Sequence, residues 1–181
     1  LKKIELMDVI FKNCDLSNQN FDKQLLHRVV FDNCKLIGTS FINSSLKDIE
    51  FNSCNCEYIN CFGSLISNLV IKGSIKVKTR AGALCYMASG ATISNITSYM
   101  TITATASGTV YLGGIVGAID KVDSITTITN CKNYGVVFAD ALGNNVGGIV
   151  GSVGKGFKIV NCVNKGNITG GANVGGIIGY V

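Results

Sequence analysis

The sequence contains no proline and no tryptophan, only one histidine, and few charged residues, which make up 15% of its 181 positions. The single histidine, His27, excludes the HExxH metal motif and every catalytic set that needs two histidines. Because hydrophobic residues amount to 47%, the chain does not have the composition of a disordered protein. Glycine is abundant, with 22 residues, together with Ile, Val, Thr, Ser and Asn. This composition favours strands and turns over helices.

Long apolar runs are also missing. The longest uncharged segment, residues 81–119, contains many Ser, Thr, Asn and Gly residues. A membrane-spanning helix needs about 20 predominantly apolar residues instead, so we expect no membrane span. The chain begins with Leu1 and ends inside a patterned segment, which we interpret as a piece of a longer or processed protein.

Leucine or phenylalanine recurs every five residues through the first third of the chain. The positions are Leu1, Leu6, Phe11, Leu16, Phe21, Leu26, Phe31, Leu36, Phe41, Leu46 and Phe51, followed by Cys56 and Cys61. This period fits neither a helix nor a strand. It predicts a chain that turns a corner every five residues, so that four pentads close a square coil. The related hexapeptides FKNCDL, FDNCKL and FNSCNC begin at residues 11, 31 and 51, and they predict columns of stacked Phe and Cys side chains.

The five-residue pattern resembles that of the pentapeptide-repeat family over about residues 1–66. The resemblance implies a right-handed quadrilateral parallel β-helix. Gln19 and Gln24 stand where a small inward residue is expected, and they predict a bulge or loosened coil near residues 19–28. We interpret the cysteine column as core packing and not as a metal site, because no His or carboxylate recurs beside it.

A different repeat fills the remaining two thirds of the chain. A glycine phrase (GGIVG, GGIVG, GGIIG) begins at residues 113, 147 and 175, and an asparagine phrase (as in ITNCKNYG) begins at residues 66, 93, 128 and 159. Units of about 27 to 35 residues are typical of repeat architectures. In three units an asparagine is followed five residues later by glycine, and these residues, Asn68, Asn130 and Asn161, are predicted to form an inward or capping ladder.

The paired phrases resemble the GLUG motif of bacterial surface proteins, including non-catalytic regions of IgA-protease-type enzymes, over about residues 67–181. The resemblance implies a β-rich, solenoid-like stack in a cell-surface or secreted setting, and it brings no catalytic residue. We therefore predict an all-β chain with a pentapeptide-repeat β-helix at 1–66 and a Gly-rich β-solenoid of GLUG type at 67–181. The sequence leaves open whether the two form one continuous solenoid, and whether copies associate end to end or side by side.

Charge is divided unevenly between these two regions. Residues 1–61 contain seven basic and eight acidic side chains, whereas residues 62–181 contain nine basic and three acidic ones. The best electrostatic feature is a candidate face for an anionic ligand formed by Lys72, Lys76, Lys78 and Arg80, of which the last three alternate with Ile75, Val77 and Thr79. It has a structural interpretation, a solvated strand face that prevents edge pairing. It also has a functional one, contact with an anionic glycan, wall polymer or nucleic acid.

Chemistry-bearing motifs are otherwise missing from the sequence. The phosphate-binding GxxxxGK[ST] loop, the dinucleotide fingerprint and paired CxxC knuckles do not occur. We expect no catalytic, cofactor or metal site.

Two functions remain. The first is a non-enzymatic structural or adhesive module of a larger bacterial surface or secreted protein, with host or cell-wall glycans or surface proteins as partners. The alternative is a cytoplasmic DNA mimic acting on a type II topoisomerase, as some pentapeptide-repeat proteins do. Charge argues against it, because three coils span about 14 Å, over which duplex DNA carries about eight negative charges. The sequence also disfavours nucleic acid as a partner.

Overall fold

The computed structural model describes residues 4–105, 110–120, 123–140 and 144–181, and within these ranges the chain consists of strands and turns. The first strands are β1 (Glu5–Met7), β2 (Ile10–Lys12), β3 (Leu25–His27), β4 (Val30–Asp32), β5 (Ser45–Lys47), β6 (Glu50–Asn52) and β7 (Leu65–Val77). They are followed by β8 (Arg80–Gly82), β9 (Cys85–Met87), β10 (Thr92–Ala104), β11 (Val110–Gly113), β12 (Val116–Ile119), β13 (Thr126–Thr129), β14 (Lys132–Asn133) and β15 (Val137–Ala139). The last are β16 (Asn144–Gly147), β17 (Val150–Val153), β18 (Phe157–Val160), β19 (Val163–Asn164), β20 (Ile168–Thr169), β21 (Asn173–Gly175) and β22 (Ile178–Tyr180).

The first three coils stack with a step of 20 residues. Along one side β1 pairs with β3 and β3 with β5, and along the next side β2 pairs with β4 and β4 with β6, always in parallel. Isolated parallel bridges form the other two sides, from residue 15 to 35 to 55 and from 20 to 40 to 60. Four lines of pairing in every 20 residues confirm the predicted all-β parallel β-helix. No helix that could span a membrane is found in the described part of the chain.

The side chains of the five-residue pattern point into the coils. The Phe31 ring stacks between those of Phe11 and Phe51, with centroid distances of 5.1 and 5.2 Å. Cys34 and Cys54 are buried in the predicted cysteine column, as free thiols. Each coil therefore covers the apolar side chains of its neighbours, and this burial is the main stabilising contribution in a stacked repeat.

Every fifth residue takes a left-handed backbone conformation at the corners of these coils. The φ angles lie between 52° and 69° at Asp8, Asn13, Asn18, Lys23, Arg28, Asn33, Gly38, Asn43, Asp48, Ser53, Tyr58 and Gly63. Asn, Asp and Gly dominate this set because they adopt this conformation at the least cost.

The predicted bulge near residues 19–28 is wrong. β3 keeps the 20-residue register with both β1 and β5, so the coil is regular there. The side-chain amide nitrogen of Gln24 donates to the carbonyl of Asp22 at 3.0 Å. The backbone N–H of Gln24 donates to Ser44 Oγ at 3.2 Å. These local hydrogen bonds accommodate the larger side chain without displacing the backbone.

The two repeat types share one continuous ladder. β7 pairs with β5 and β6 through its first part, and along its full length with β10. The coil lengthens at this point, because the chain continues from Ile71 to Val77 before it turns. The sheet that starts at β1 therefore passes through β7 and β10 to β13 and β18.

The later coils have one long side and two short ones. The long side consists of β10, of β13 to β15, and of β18 to β20, in successive coils. The short sides form two separate sheets, β8–β11–β16–β21 and β9–β12–β17–β22. The glycine phrase lies where the chain passes from the first short sheet to the second, so that Gly113, Gly147 and Gly175 stack.

The asparagine ladder, predicted as inward or capping, lies on the outside of the coils and not in the core. Asn68, Asn95, Asn130 and Asn161 have φ angles of 53–59°. The first three are linked by side-chain hydrogen bonds of 3.0 and 3.3 Å along an exposed corner. The inward asparagines are Asn133, which is fully buried, and Asn164. The Asn133 side-chain nitrogen donates to the Gly135 carbonyl at 3.1 Å and to Asn164 Oδ1 at 2.9 Å.

Candidate ligand-binding face

The long side of the later coils presents a regular outer surface after the asparagine corner. We call it the long face and define it as the outward side chains of residues 69–77, 96–104, 131–139 and 162–169. Inward and outward positions alternate along each of these segments, and the inward positions of the first three are buried or filled by glycine. The parallel register places four outward columns across the four coils.

One column of the long face combines lysine and tyrosine. It consists of Lys72, Tyr99, Tyr134 and Lys165, one from each coil. The rings of Tyr99 and Tyr134 are stacked with centroids 5.2 Å apart and planes 12° from parallel. Lys165 Nζ lies 5.8 Å from the centroid of the Tyr134 ring. Because the ring faces are turned toward neighbours in the column, the edges and hydroxyls of the rings face solvent, and the two residues remain 49% and 38% exposed.

The neighbouring columns add cations and hydroxyl groups. The column on one side is Val70, Thr97, Lys132 and Val163. The columns on the other side are Ser74, Thr101, Val136 and Asn167, and then Lys76, Thr103, Phe138 and Thr169. The four described segments of the long face thus carry four lysines and no acidic residue. Asp140 directly follows the third of these segments.

Four of the eight acidic side chains in residues 1–61 are instead paired with basic groups. The Arg28 guanidinium donates to both carboxylate oxygens of Asp8, at 2.5 and 2.7 Å, and holds the pKa of that carboxyl below its usual value. Hydrogen bonds from Asn68 and His27 likewise lower the pKa of Asp48. Two more ion pairs, Lys12–Asp32 and Lys35–Asp15, join neighbouring coils. None of the ion pairs seen in the described residues includes a lysine of the long face.

The structure separates the four basic residues that the sequence placed together. Lys72 and Lys76 lie on the long face, and Lys78 is exposed just beyond its end, with its backbone N–H 3.4 Å from Glu57 Oε1. Arg80 lies after the turn, in β8 of a different sheet. Its guanidinium carbon is 5.6 and 5.0 Å from the ring centroids of Tyr86 and Tyr111, and its side chain donates to the Tyr86 hydroxyl at 3.0 Å.

The sequence prediction missed the other half of this surface. Lys132 and Lys165 come from later coils, and so do the two stacked tyrosines. A common spacing identifies the column that combines lysine and tyrosine, because each of its members follows an exposed corner asparagine by four residues. Aligning the repeats on Asn68, Asn95, Asn130 and Asn161 would have brought these residues into one column.

Thiol groups are the other reactive side chains. Cys131 and Cys162 occupy successive coils, and the Val163 N–H donates to the Cys131 carbonyl at 2.9 Å. A hydrogen bond from the Cys131 thiol lowers the pKa of Cys162 to about 7, while the same contact and burial raise that of Cys131. Across the part of the chain that the structure describes, no three His, Cys, Asp or Glu side chains are grouped to hold a metal ion.

Comparisons with known proteins support the resemblance at the N-terminal end. Residues 4–77 match the family model described as Pentapeptide repeat region, and the match ends with β7. The chain matches no curated protein. The predicted resemblance of residues 67–181 to GLUG-motif repeats stays a prediction.

Two solved structures are similar to the chain. HetL, a pentapeptide repeat protein involved in heterocyst differentiation regulation from the cyanobacterium Nostoc, is 9% identical, with a TM-score of 0.26 over 91% of this chain and 86% of that one. QnrB1, a plasmid-mediated fluoroquinolone resistance protein, is 18% identical, with a TM-score of 0.25 over 87% of this chain and 80% of that one. Neither likeness bears on function.

Proposed function

We propose that the protein is a non-enzymatic structural and adhesive module, in a surface or secreted protein, that holds a negatively charged polymer along its long face. The observation that carries the proposal is the charge of this face, which has four lysines and no acidic residue in its described segments. These lysines come from three of the four coils, so the positive potential extends along the stack and does not depend on one loop.

The regularity of the face suits an extended partner. Successive coils of a β-helix are about 4.8 Å apart, so equivalent side chains repeat at that interval. A polymer that follows a column meets a new side chain at every coil, and many weak contacts then add up along its length. A small molecule would use only one or two of these contacts.

The DNA-mimic alternative receives less support from the charges of the first three coils. A mimic of duplex DNA needs a surface whose negative charge is not compensated. Here four of the eight acidic side chains in residues 1–61, those of Asp8, Asp15, Asp32 and Asp48, each lie within 4 Å of a basic side chain in a neighbouring coil. A DNA-supercoiling assay with a type II topoisomerase tests this alternative, and we expect no inhibition.

Replacing the four lysines of the long face by serine should abolish retention on a polyanion. We expect the native protein to be retained on immobilised dextran sulfate at 50 mM salt and not on neutral dextran. The variant Lys72→Ser, Lys76→Ser, Lys132→Ser and Lys165→Ser should bind about tenfold or more weakly, because each exposed ion pair contributes roughly 0.2–1 kcal/mol. Retention of the native protein should also fall steeply with added salt.

A variant with the same net charge separates the long face from total charge. Lys12, Lys23, Lys35 and Lys47 lie in the first three coils and are exposed. Replacing these four by serine should leave retention on dextran sulfate nearly unchanged. Equal loss in the two variants would show that only net charge matters, and absence of retention of the native protein would reject the proposed function.

A further inference from the structure

We infer that the polymer held by the long face is an acidic polysaccharide, which lies along the stack over the column Lys72, Tyr99, Tyr134 and Lys165. The inference rests on the proposed function and adds the chemical class of the ligand, its direction and the side chains that select it. Three features of the column and its neighbours carry it: the order of its charged and hydroxyl groups, the orientation of its rings, and the polar groups beside it.

The order of groups in the column sets the direction of the ligand. An ammonium group stands at each end, on Lys72 and Lys165, and two phenolic hydroxyls stand between them. Three coil steps separate the end residues, or about 14 Å at the usual spacing of parallel strands. A chain that places acidic groups on both lysines must therefore cross the strands and pass over both tyrosines.

The orientation of the rings distinguishes a polysaccharide from a single-stranded nucleic acid. Proteins bind single strands mainly by stacking bases on open aromatic faces. In this column the faces of Tyr99 and Tyr134 cover each other at 5.2 Å, and Lys165 lies over the other face of Tyr134. The rings therefore present their hydroxyl groups, which hydrogen-bond to sugar hydroxyls and carboxylates, while the covered faces provide little surface for bases.

The flanking columns match the surface of a sugar chain. Short polar side chains border the tyrosines, and they can donate to and accept from sugar hydroxyls: Ser74, Thr97, Thr101, Thr103, Asn167 and Thr169. Val136 and Val163 are exposed among them and offer apolar contact to the C–H groups of sugar rings. Lys76 and Lys132 place further positive charge on both sides of the column.

The choice of probes tests charge and sugar recognition separately. We would measure binding of the native chain to polygalacturonate, to fully methyl-esterified polygalacturonate, and to poly(dT) of similar charge by calorimetry at one salt concentration. Polygalacturonate should bind at least tenfold more tightly than either of the others. The methyl ester has the same backbone without the negative charge, and poly(dT) has the charge without the sugar acids.

Removing the two tyrosine hydroxyls tests the column itself. The double variant Tyr99→Phe and Tyr134→Phe keeps the ring stack and should bind polygalacturonate about tenfold more weakly, since each hydrogen bond contributes roughly 0.5–1.5 kcal/mol. Its binding to dextran sulfate at low salt should change much less. The control Tyr180→Phe removes the hydroxyl of an exposed tyrosine outside the long face and should bind as the native chain does. Unchanged melting temperatures show that the variants fold.

The results separate the two levels of the proposal. Retention on dextran sulfate that depends on the long face, combined with equal or tighter binding of poly(dT), would overturn the polysaccharide and leave the proposed function standing. Undiminished polygalacturonate binding by the tyrosine double variant would overturn the assignment of the column. Absence of retention of the native protein on dextran sulfate would overturn both the polysaccharide and the proposed function.

Discussion

The substitution Phe31→Asp should abolish the cooperative thermal unfolding of the protein. Phe31 is 0% exposed, and its ring lies between those of Phe11 and Phe51 in the middle of a column. Removing a buried Phe side chain costs about 3–5 kcal/mol, and an unpaired carboxylate in its place costs several more. Since domains are stable by roughly 5–15 kcal/mol, we expect the N-terminal coils to unfold at room temperature. Circular dichroism during a thermal melt measures this loss.

A second substitution controls for the added charge. Ile10 lies in the coil below, pairs with Val30 next to Phe31, and is 69% exposed. Ile10→Asp introduces the same carboxylate on the outside and should leave the melting temperature within a few degrees of the native value. An unchanged melting curve for Phe31→Asp would refute the inward register of the five-residue pattern.

Gly148→Ala should lower the stability of the later coils by about 3 kcal/mol or more, which corresponds to a melting temperature roughly 6–12 °C lower. A Cβ atom at this position would lie 2.1 Å from the Gly176 carbonyl oxygen and 2.4 Å from the Asn164 side-chain carbon Cγ. The first neighbour is backbone of the next coil and the second belongs to the interior asparagine pair, so the two coils would have to separate. The effect is steric, because Gly148 does not have a left-handed φ angle.

The equivalent glycine one coil later provides the matched control. At Gly176 a Cβ atom would meet no atom within 4 Å. Gly176→Ala makes the same substitution in the same phrase, and its free energy of unfolding should stay within about 1 kcal/mol of the native value. If the two variants were equally stable, the close approach of coils at the glycine phrase would be wrong.

Most of the N-terminal fold could be predicted because one spacing determines it. Each fifth residue points inward and each corner follows at the same interval, so the pairing of β1, β3 and β5 needed no information beyond the sequence. The bulge or loosened coil predicted near residues 19–28 is absent, and at Gln24 the physical reason is visible. A side chain too large for its position formed a hydrogen bond to the nearby Asp22 carbonyl, and the backbone register stayed regular.

The candidate face could be predicted only in part. The local alternation over residues 75–80 predicted Lys76 and Lys78 outward, where they lie, but it gave no sign of the turn after Val77 that moves Arg80 to another sheet. Lys132 and Lys165 were missed because repeats of unequal length hide their register. Steps of 27, 35 and 31 residues separate equivalent positions in successive coils, and only the corner asparagines mark the alignment.

Modification of lysines in the unaltered protein tests the polymer-binding face most directly. The chain is treated with an amine-acetylating reagent with and without saturating polygalacturonate, and the extent of acetylation at each lysine is measured by mass spectrometry. Lys72, Lys132 and Lys165 should become several-fold less reactive when the polysaccharide is present, whereas Lys12 and Lys35, in the first three coils, should react as before. Equal protection of all these lysines, or protection confined to Lys12 and Lys35, would contradict the account.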